Sequence, residues 1–597
     1  MSMMLLAAPF ILLCSFLPLA HSVIATTKYG KLEGFTASFP SLPIHLQFHS
    51  VDKFLGVPFA APPTEENRLR KPQPLEGWKP KIRQAKKHGS ACMQPQRFAF
   101  YFDRYGYNIT YSEDCLFLDV YTPNVSLSLP VIIYIHGGAY TGGHSVAFPS
   151  DILVLHGVVV VVIQYRLGPF GFFTTEDSAA PGNLGLLDQV AALKWVKENI
   201  ENFGGDPNKI TLLGESAGGS SVNFHMMSPL SKDLFHQAIA ESGVDLCPWA
   251  IQPSSYGIRF AKELAQKLHC TSSDHHAMVE CIRKVKAMDI QKAAGDIFIS
   301  PAHDFYRWSA VVDGHFLTDT PWNLRKKGKF KKVPLMISFN SHEGATSIRS
   351  LVGTAGLENG VNRSLFKDAL SGFVEGRNKR KVADLISDAL EFMYTPWPDN
   401  NDQYALRSQL IDLLSDYFFF APSHEVADIH SEVAPVYMNE FARRPSNASL
   451  SPEWMGVIHF DNAPFDFGIP LLTPLSSMYD TADRNVSLFI MKLYTNFARF
   501  GEPTPQPVSG VTWEGYNSSR RSYLRIDVNP RLETAFNPRR MAFWNDYYPK
   551  LAKFKIDSEV FAVNSANAGF AIEMVQTVLF TAGLEILFFL TLTSQYN

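Results

Sequence analysis

Short, unbroken apolar runs that end in turn-forming residues recur along the chain. Val131-Ile132-Ile133-Tyr134-Ile135 stops at His136-Gly137-Gly138, and Gly157 to Gln164 is almost pure valine. Ile210 to Leu213, Val333 to Phe339 and Val436 to Phe441 repeat the pattern. Runs of this length without polar alternation predict strands buried on both faces, as in a parallel sheet. Between them the period changes. Leu187 to Asn199 places apolar residues at Ala191, Leu193, Trp195 and Val196, which predicts a helix. Strands alternating with helices imply an α/β fold, a mainly parallel sheet covered on both faces. Residues 350–430 read as helix-rich and are expected to form an insertion above the sheet.

The two ends break this pattern. Residues 4–20 are an apolar block, and Ala20-His21-Ser22 offers the small residues of a cleavage site. A secretory signal over residues 1–22 follows, with a mature chain beginning near Val23 and one globular domain over 23–553. A small-polar linker spans 554–569, and an apolar tail occupies 570–597. The tail is long enough to cross a bilayer. Glu573 and Glu585 make that crossing costly, and no basic residue follows it. Three readings stay open: a signal exchanged for a lipid anchor, a single span, or a docked amphipathic helix. The first two attach the protein to a membrane.

Secretion changes what the cysteines and asparagines mean. Asn-x-Ser/Thr acceptors stand at Asn108, Asn124, Asn362, Asn447, Asn485 and Asn517. Without Cys14, which leaves with the signal, Cys92, Cys115, Cys247, Cys270 and Cys281 remain, an odd number. Short loops suggest the pairs Cys92–Cys115 and Cys270–Cys281. Cys247 could then bridge to another chain, but Leu246-Cys247-Pro248-Trp249 reads better as a packed free thiol. A net charge of −3 gives no electrostatic case for nucleic acid. Lys326 to Lys332, the basic run, is expected to be a solvated connection before a strand.

The candidate chemistry begins where the strand at 210–213 runs into Gly214-Glu215-Ser216-Ala217-Gly218. A strand-to-helix turn of this kind holds a serine hydroxyl out of the chain, and the glycines let neighbouring backbone approach. Such a nucleophile needs a base, an acid to orient the base, and donors for an oxyanion. Backbone amides of Gly138 and Ala139, in the small-residue loop after strand 131–135, can supply donors together with that of Ala217. Glu343, at the end of a strand, is the candidate acid, and His459 the candidate base. The order serine, acid, histidine suits a sheet that carries an elbow serine.

Other segments carry a resemblance. Ser112-Glu113-Asp114-Cys115-Leu116-Phe117-Leu118-Asp119-Val120-Tyr121-Thr122-Pro123 closely resembles the second signature of the type-B carboxylesterase/cholinesterase family. Phe54 to Ala60, Gly182 to Gln189, Phe203 to Pro207 and Glu241-Ser242-Gly243 are similar to further family motifs, from about Lys28 to Leu551. The resemblance implies an α/β-hydrolase fold with Ser216, Glu343 and His459 as its triad. It places the oxyanion donors on Gly138, Ala139 and Ala217, and the disulfides on Cys92–Cys115 and Cys270–Cys281. It also implies a structural ion pair between Glu113 and an arginine of Arg68-Leu69-Arg70.

Departures from the family are local. Ala139 replaces a common glycine, His342 a usual aspartate, Phe460 a glycine, and Asn462 a nearby glutamate. No tryptophan lies between Cys92 and Cys115, where cholinesterases hold a quaternary ammonium, and Tyr105 and Tyr107 are the nearest substitutes. Tyr306 and Trp308 fall near the family's acyl pocket, where core packing is an equal reading. The expected protein is a serine esterase acting on small to medium neutral carboxylic esters, needing no metal or organic cofactor. The alternatives are a catalytically silent adhesion or binding member of the same fold, and a cholinesterase.

Overall fold

Each apolar run is a strand whose two faces are both covered. The computed structural model describes residues 21–40, 42, 46–95, 109–253, 255–297, 308–353, 356–375, 380–446 and 451–553. In chain order the strands begin with β1 (Ser22–Thr26), β2 (Lys31–Ser38), β3 (Ser50–Pro58), β4 (Ile82–Gln84) and β5 (Ala91–Cys92). Next come β6 (Tyr111–Ser112), β7 (Phe117–Thr122), β8 (Leu129–Ile135), β9 (Val159–Ile163) and β10 (Gly205–Glu215). The last are β11 (Gln237–Glu241), β12 (Leu335–Asn340), β13 (Val436–Phe441), β14 (Ser522–Ile526) and β15 (Arg531–Thr534).

One 13-stranded sheet has the order β1-β2-β3-β7-β9-β8-β10-β11-β12-β13-β14-β15, with β4 beside β2. Neighbours from β9 to β14 are parallel. Antiparallel strands close both edges. Side-chain alternation sorts two cores. Ile133, Ile135, Val161 and Leu212 pack on one face with helices Leu184–Asn199 and Ala217–Met227. Ile132, Tyr134, Val160 and Val162 pack on the other with helix Thr481–Phe500. Strands covered on both sides have no polar face to display, which is why they read as unbroken runs.

Two strand ends differ from the expected ones. The run from Val333 becomes ladder only at Leu335, because Pro334 has no N–H to donate. The run from Ile210 starts earlier, at Gly205, across an irregular register. Ahead of β12, Lys326, Lys327, Lys329 and Lys332 are exposed, as a solvated connection should be. Between β12 and β13 lies the expected helical insertion. Its helices are Arg363–Glu375, Arg380–Tyr394 and Gln403–Ser415, then a π-helical turn Asp416–Phe420 and helix Ala421–Ser431.

Cys92 is bonded to Cys115 and Cys270 to Cys281, while Cys247 is a buried free thiol. Asn124, Asn362, Asn485 and Asn517 are exposed, whereas Asn108 and Asn447 lie outside the described residues. Residues 1–20 and 554–597 also lie outside them, and with them most of the expected signal, the linker and the tail. Among the described residues no helix is long and apolar enough to cross a membrane.

The ion pair implied for Glu113 falls on Arg68 rather than Arg70. Arg68 Nη2 donates to Glu113 Oε2 at 2.5 Å, and Arg68 Nη1 to the Arg283 carbonyl at 2.6 Å. Both side chains are about nine-tenths buried. Removing one partner strands the other's charge, at a cost of about 3–5 kcal/mol. Glu113→Ala is therefore expected to lower the unfolding free energy by about 3–5 kcal/mol, read as a lower midpoint of chemical denaturation. An unchanged midpoint would contradict the pair's structural role.

Candidate active site

Ser216 sits between β10 and helix Ala217–Met227 with φ +57° and ψ −120°, a conformation L-residues avoid. Its surroundings impose that turn. The Ser216 N–H donates to the Glu241 carbonyl of β11 at 2.8 Å. A Cβ on Gly218 would lie 1.9 Å from the Ile135 carbonyl, and one on Gly137 would lie 2.9 Å from Ser216 Cβ. Only glycine lets the two loops touch here.

His459 arrives from a loop far along the chain, and its Nε2 lies 2.9 Å from Ser216 Oγ. Its Nδ1 lies 2.5 Å from Glu343 Oε2. Glu343 is fully buried, and its Oε1 accepts from Ser242 Oγ at 2.6 Å and from the Asn340 N–H at 2.7 Å. The acid and histidine loops are stapled one residue away. The His342 N–H donates to the Val457 carbonyl at 3.0 Å, and His342 bridges to Ile458. The residue that replaces the usual aspartate thus works through its backbone and through Nδ1, which accepts from the Val457 N–H at 3.4 Å.

The insertion braces the same point. The Gly344 N–H donates to Ser415 Oγ at 2.8 Å, and the Phe419 ring lies 5.0 Å from the His459 ring. Trp249 Nε1 donates to the Phe418 carbonyl at 3.1 Å, which ties the wall beside Gly243 to the π-helical turn. None of Ser242, Asn340, Phe418 and Phe419 carried a role in the sequence reading. The repeated phenylalanines at 418–420 and the serine of Glu241-Ser242-Gly243 were the available signals.

Gly138, Ala139 and Tyr140 have φ of +109°, +53° and +54°, three consecutive residues on the glycine-favouring side of the map. That geometry explains a preference for glycine at 139. Gln94 pins the loop, with its Nε2 to the Gly143 carbonyl and its Oε1 from the Gly143 N–H, both at 2.9 Å. Among the described residues none of the Gly138, Ala139 and Ala217 amides has an acceptor. They remain available to an anionic oxygen.

Phe460 has φ +79°, again a glycine-favouring conformation, and strain of this type costs about 1–3 kcal/mol. Its ring rests edge-on to Phe148 at 5.9 Å, and His459 keeps both of its contacts. Asn462 Oδ1 accepts from Asn340 Nδ2 and Asn462 Nδ2 donates to Asp466 Oδ2, each at 3.0 Å. Trp308 is buried against Phe260, at a ring separation of 6.3 Å, so it is core. Tyr105, Tyr107 and Tyr306 lie outside the described residues. A cavity of about 650 Å³ lined by Thr174, Ile251, Gln252, Val311 and Asp313 includes none of Ser216, Glu343 and His459.

Charge is concentrated around the imidazole. Burial pulls His459 down, but the Glu215 and Glu343 carboxylates outweigh it and raise the group to about 9. Glu215 Oε1 stands 3.4 Å from His459 Nε2. Burial pushes Glu215 itself up to about 8 against the pull of His459. The two titrate as a pair, and the imidazole holds its proton above the ordinary histidine range.

A mainly parallel sheet with an elbow serine, an acid after β12 and a histidine on a later loop is the α/β-hydrolase fold. The model of the carboxylesterase family matches residues 21–544, and the chain belongs to that family. Neuroligin-2 of Mus musculus is 31% identical over 583 residues, covering 88% of this chain and 68% of its own. Neuroligin-3 of Mus musculus is 32% identical over 593 residues, covering 89% and 70%. Neuroligin-3 of Homo sapiens is 31% identical over 613 residues, with the same coverage of 89% and 70%. These relatives bear neuroligin names, so their similarity brings the family and not an activity.

Proposed function

We propose that this protein is a serine carboxylic-ester hydrolase acting on small to medium neutral esters. The observation that carries the reading is the relay from Ser216 Oγ through His459 to the buried Glu343, at 2.9 and 2.5 Å. Ser216 Oγ attacks the ester carbonyl carbon while His459 Nε2 takes its proton. The carbonyl oxygen becomes an oxyanion held by the amides of Gly138, Ala139 and Ala217. His459 then gives the proton to the leaving alkoxide, and water releases the acyl group by the same path. Glu343 fixes the imidazole tautomer and balances its charge. Hydrolysis of a panel of neutral and choline esters tests the reading. Turnover of the neutral esters supports it, and a choline ester that rivals them would favour the cholinesterase alternative.

The pH dependence follows from His459. A base works only when unprotonated, so a raised value moves the rising limb of kcat/KM from near 6.5 toward 9. Glu215→Gln removes a charge that favours the imidazolium, and the limb is expected to move to lower pH. A profile unchanged by that substitution would contradict the coupling.

A second reading, a non-catalytic binding member of the fold, is favoured by the relatives' neuroligin names. It predicts a folded protein whose Ser216 ignores serine-directed probes. Under either reading we place the chain in the secretory pathway, with residues 1–22 removed and the tail after 569 serving membrane attachment. Intact mass separates the tail's fates. Loss of the tail with a lipid adduct is expected, and a mature protein that retains residues 586–597 would rule out the anchor.

A further inference from the structure

Beneath the elbow lie two buried carboxyl groups that the relay does not use. Glu241 ends β11, Asp466 closes the short helix Ala463–Asp466, and each is 1% exposed. Tyr494 OH donates to Glu241 Oε1. Asn462 Nδ2 donates to Asp466 Oδ2 at 3.0 Å. Glu241 Oε2 and Asp466 Oδ1 have no donor in hydrogen-bonding geometry, although the two carboxyl groups touch each other and Asn462 also lies against Glu241. Two ionised carboxylates in contact have no hydrogen to offer and would repel. One proton between the orphaned oxygens satisfies both.

We infer that Glu241 and Asp466 share one proton between Oε2 and Oδ1, and that this pair is a positioning unit for Ser216 and Glu343. The links are direct. The Glu241 carbonyl holds the Ser216 N–H at 2.8 Å, and its neighbour Ser242 donates to Glu343 at 2.6 Å. Asp466 Oδ2 accepts from Asn462, which turns the Asn462 carbonyl toward Asn340 Nδ2 at 3.0 Å. Asn340 in turn donates its N–H to Glu343 at 2.7 Å. The pair therefore touches both ends of the relay without touching His459.

The surroundings favour retention of the proton. Glu215, Glu343, and the phenols of Tyr134 and Tyr494 face the pair, and His459 balances charge only beyond Glu215. Burial, then the Glu241 charge, holds Asp466 well above the usual carboxylate range. Burial also raises Glu241 to about 7. Loss of the shared proton at alkaline pH would set two adjacent buried charges against each other and pull both links out of register. Native groups that bind protons more tightly than their unfolded counterparts also make stability fall as pH rises.

The test uses the full chain, wild type beside Glu241→Gln and Asp466→Asn. An amide at either position donates one N–H in place of the shared proton, so both variants should fold. Infrared pH-difference spectra should contain a protonated-carboxyl component in the wild type that is missing from each variant, beside the components of Glu215 and Asp416 that all three share. The downfield proton resonance of the His459–Glu343 hydrogen bond should disappear at alkaline pH in the wild type and persist in Glu241→Gln. A protonated-carboxyl signal of undiminished intensity in both variants, or a resonance with the same pH midpoint in wild type and Glu241→Gln, would overturn the proposal. The positioning role in catalysis rests on the esterase reading, whereas both of these signals exist without turnover. Fluorophosphonate labelling across the same pH range judges that reading separately: its alkaline limb should move up in Glu241→Gln, and no labelling at any pH sinks the esterase alone.

Discussion

Ser216→Ala is expected to abolish ester hydrolysis and all covalent labelling by fluorophosphonates. The loss should be about 10⁶-fold in kcat, the scale set by removal of a relay nucleophile. Nothing nearby can substitute. Ser220 Oγ donates to the Ala217 carbonyl at 3.0 Å, and Ser221 Oγ donates to the same carbonyl at 2.7 Å. Ser242 Oγ is committed to Glu343. The variant should fold, because it removes a hydroxyl whose partner among the described residues is His459 Nε2. Some strain persists, since φ +57° suits alanine no better than serine. Labelling that survives in the variant would move the nucleophile elsewhere, and with it the whole mechanism.

Glu343→Gln should cost about 10⁴-fold while leaving the fold intact. The two donors that meet Glu343 Oε1, Ser242 Oγ and the Asn340 N–H, both require an acceptor there. The glutamine carbonyl must take that place, and its NH₂ then faces His459 Nδ1 as a donor. An imidazole that accepts at Nδ1 carries its proton on Nε2, the atom that must receive the Ser216 proton. The variant is thus locked in the unproductive tautomer. It should label slowly with fluorophosphonate, unlike Ser216→Ala. Near-normal turnover would mean that Glu343 contributes neither orientation nor charge.

Much of this arrangement could be read from residue patterns, for identifiable reasons. The central strands declare themselves because both faces are covered, so Val159–Ile163 has no polar position to blur the run. The elbow is legible because close approach of backbone leaves glycine as the only choice at 218 and 137. The outer antiparallel strands leave little trace in the sequence. Lys31–Ser38 alternates between buried and exposed positions over a few residues, a weak signal in one sequence. The supports of Glu343 were hidden for another reason. Ser242 is an ordinary polar residue whose role exists only when segments 101 residues apart meet, and Asn340 acts through a backbone N–H that any residue but proline would carry. The same holds for Glu241 and Asp466, each unremarkable until the other is beside it.

Family membership fixes the architecture, and the choice between hydrolase and silent binding protein turns on one serine. The relay of Ser216, His459 and Glu343 pulls toward the first. The most direct test is active-site titration of the purified protein with a fluorophosphonate, with the adduct mapped by peptide mass. The hydrolase account predicts stoichiometric modification of Ser216 together with neutral-ester turnover. A well-folded protein that takes up no probe would contradict it and leave the binding reading standing.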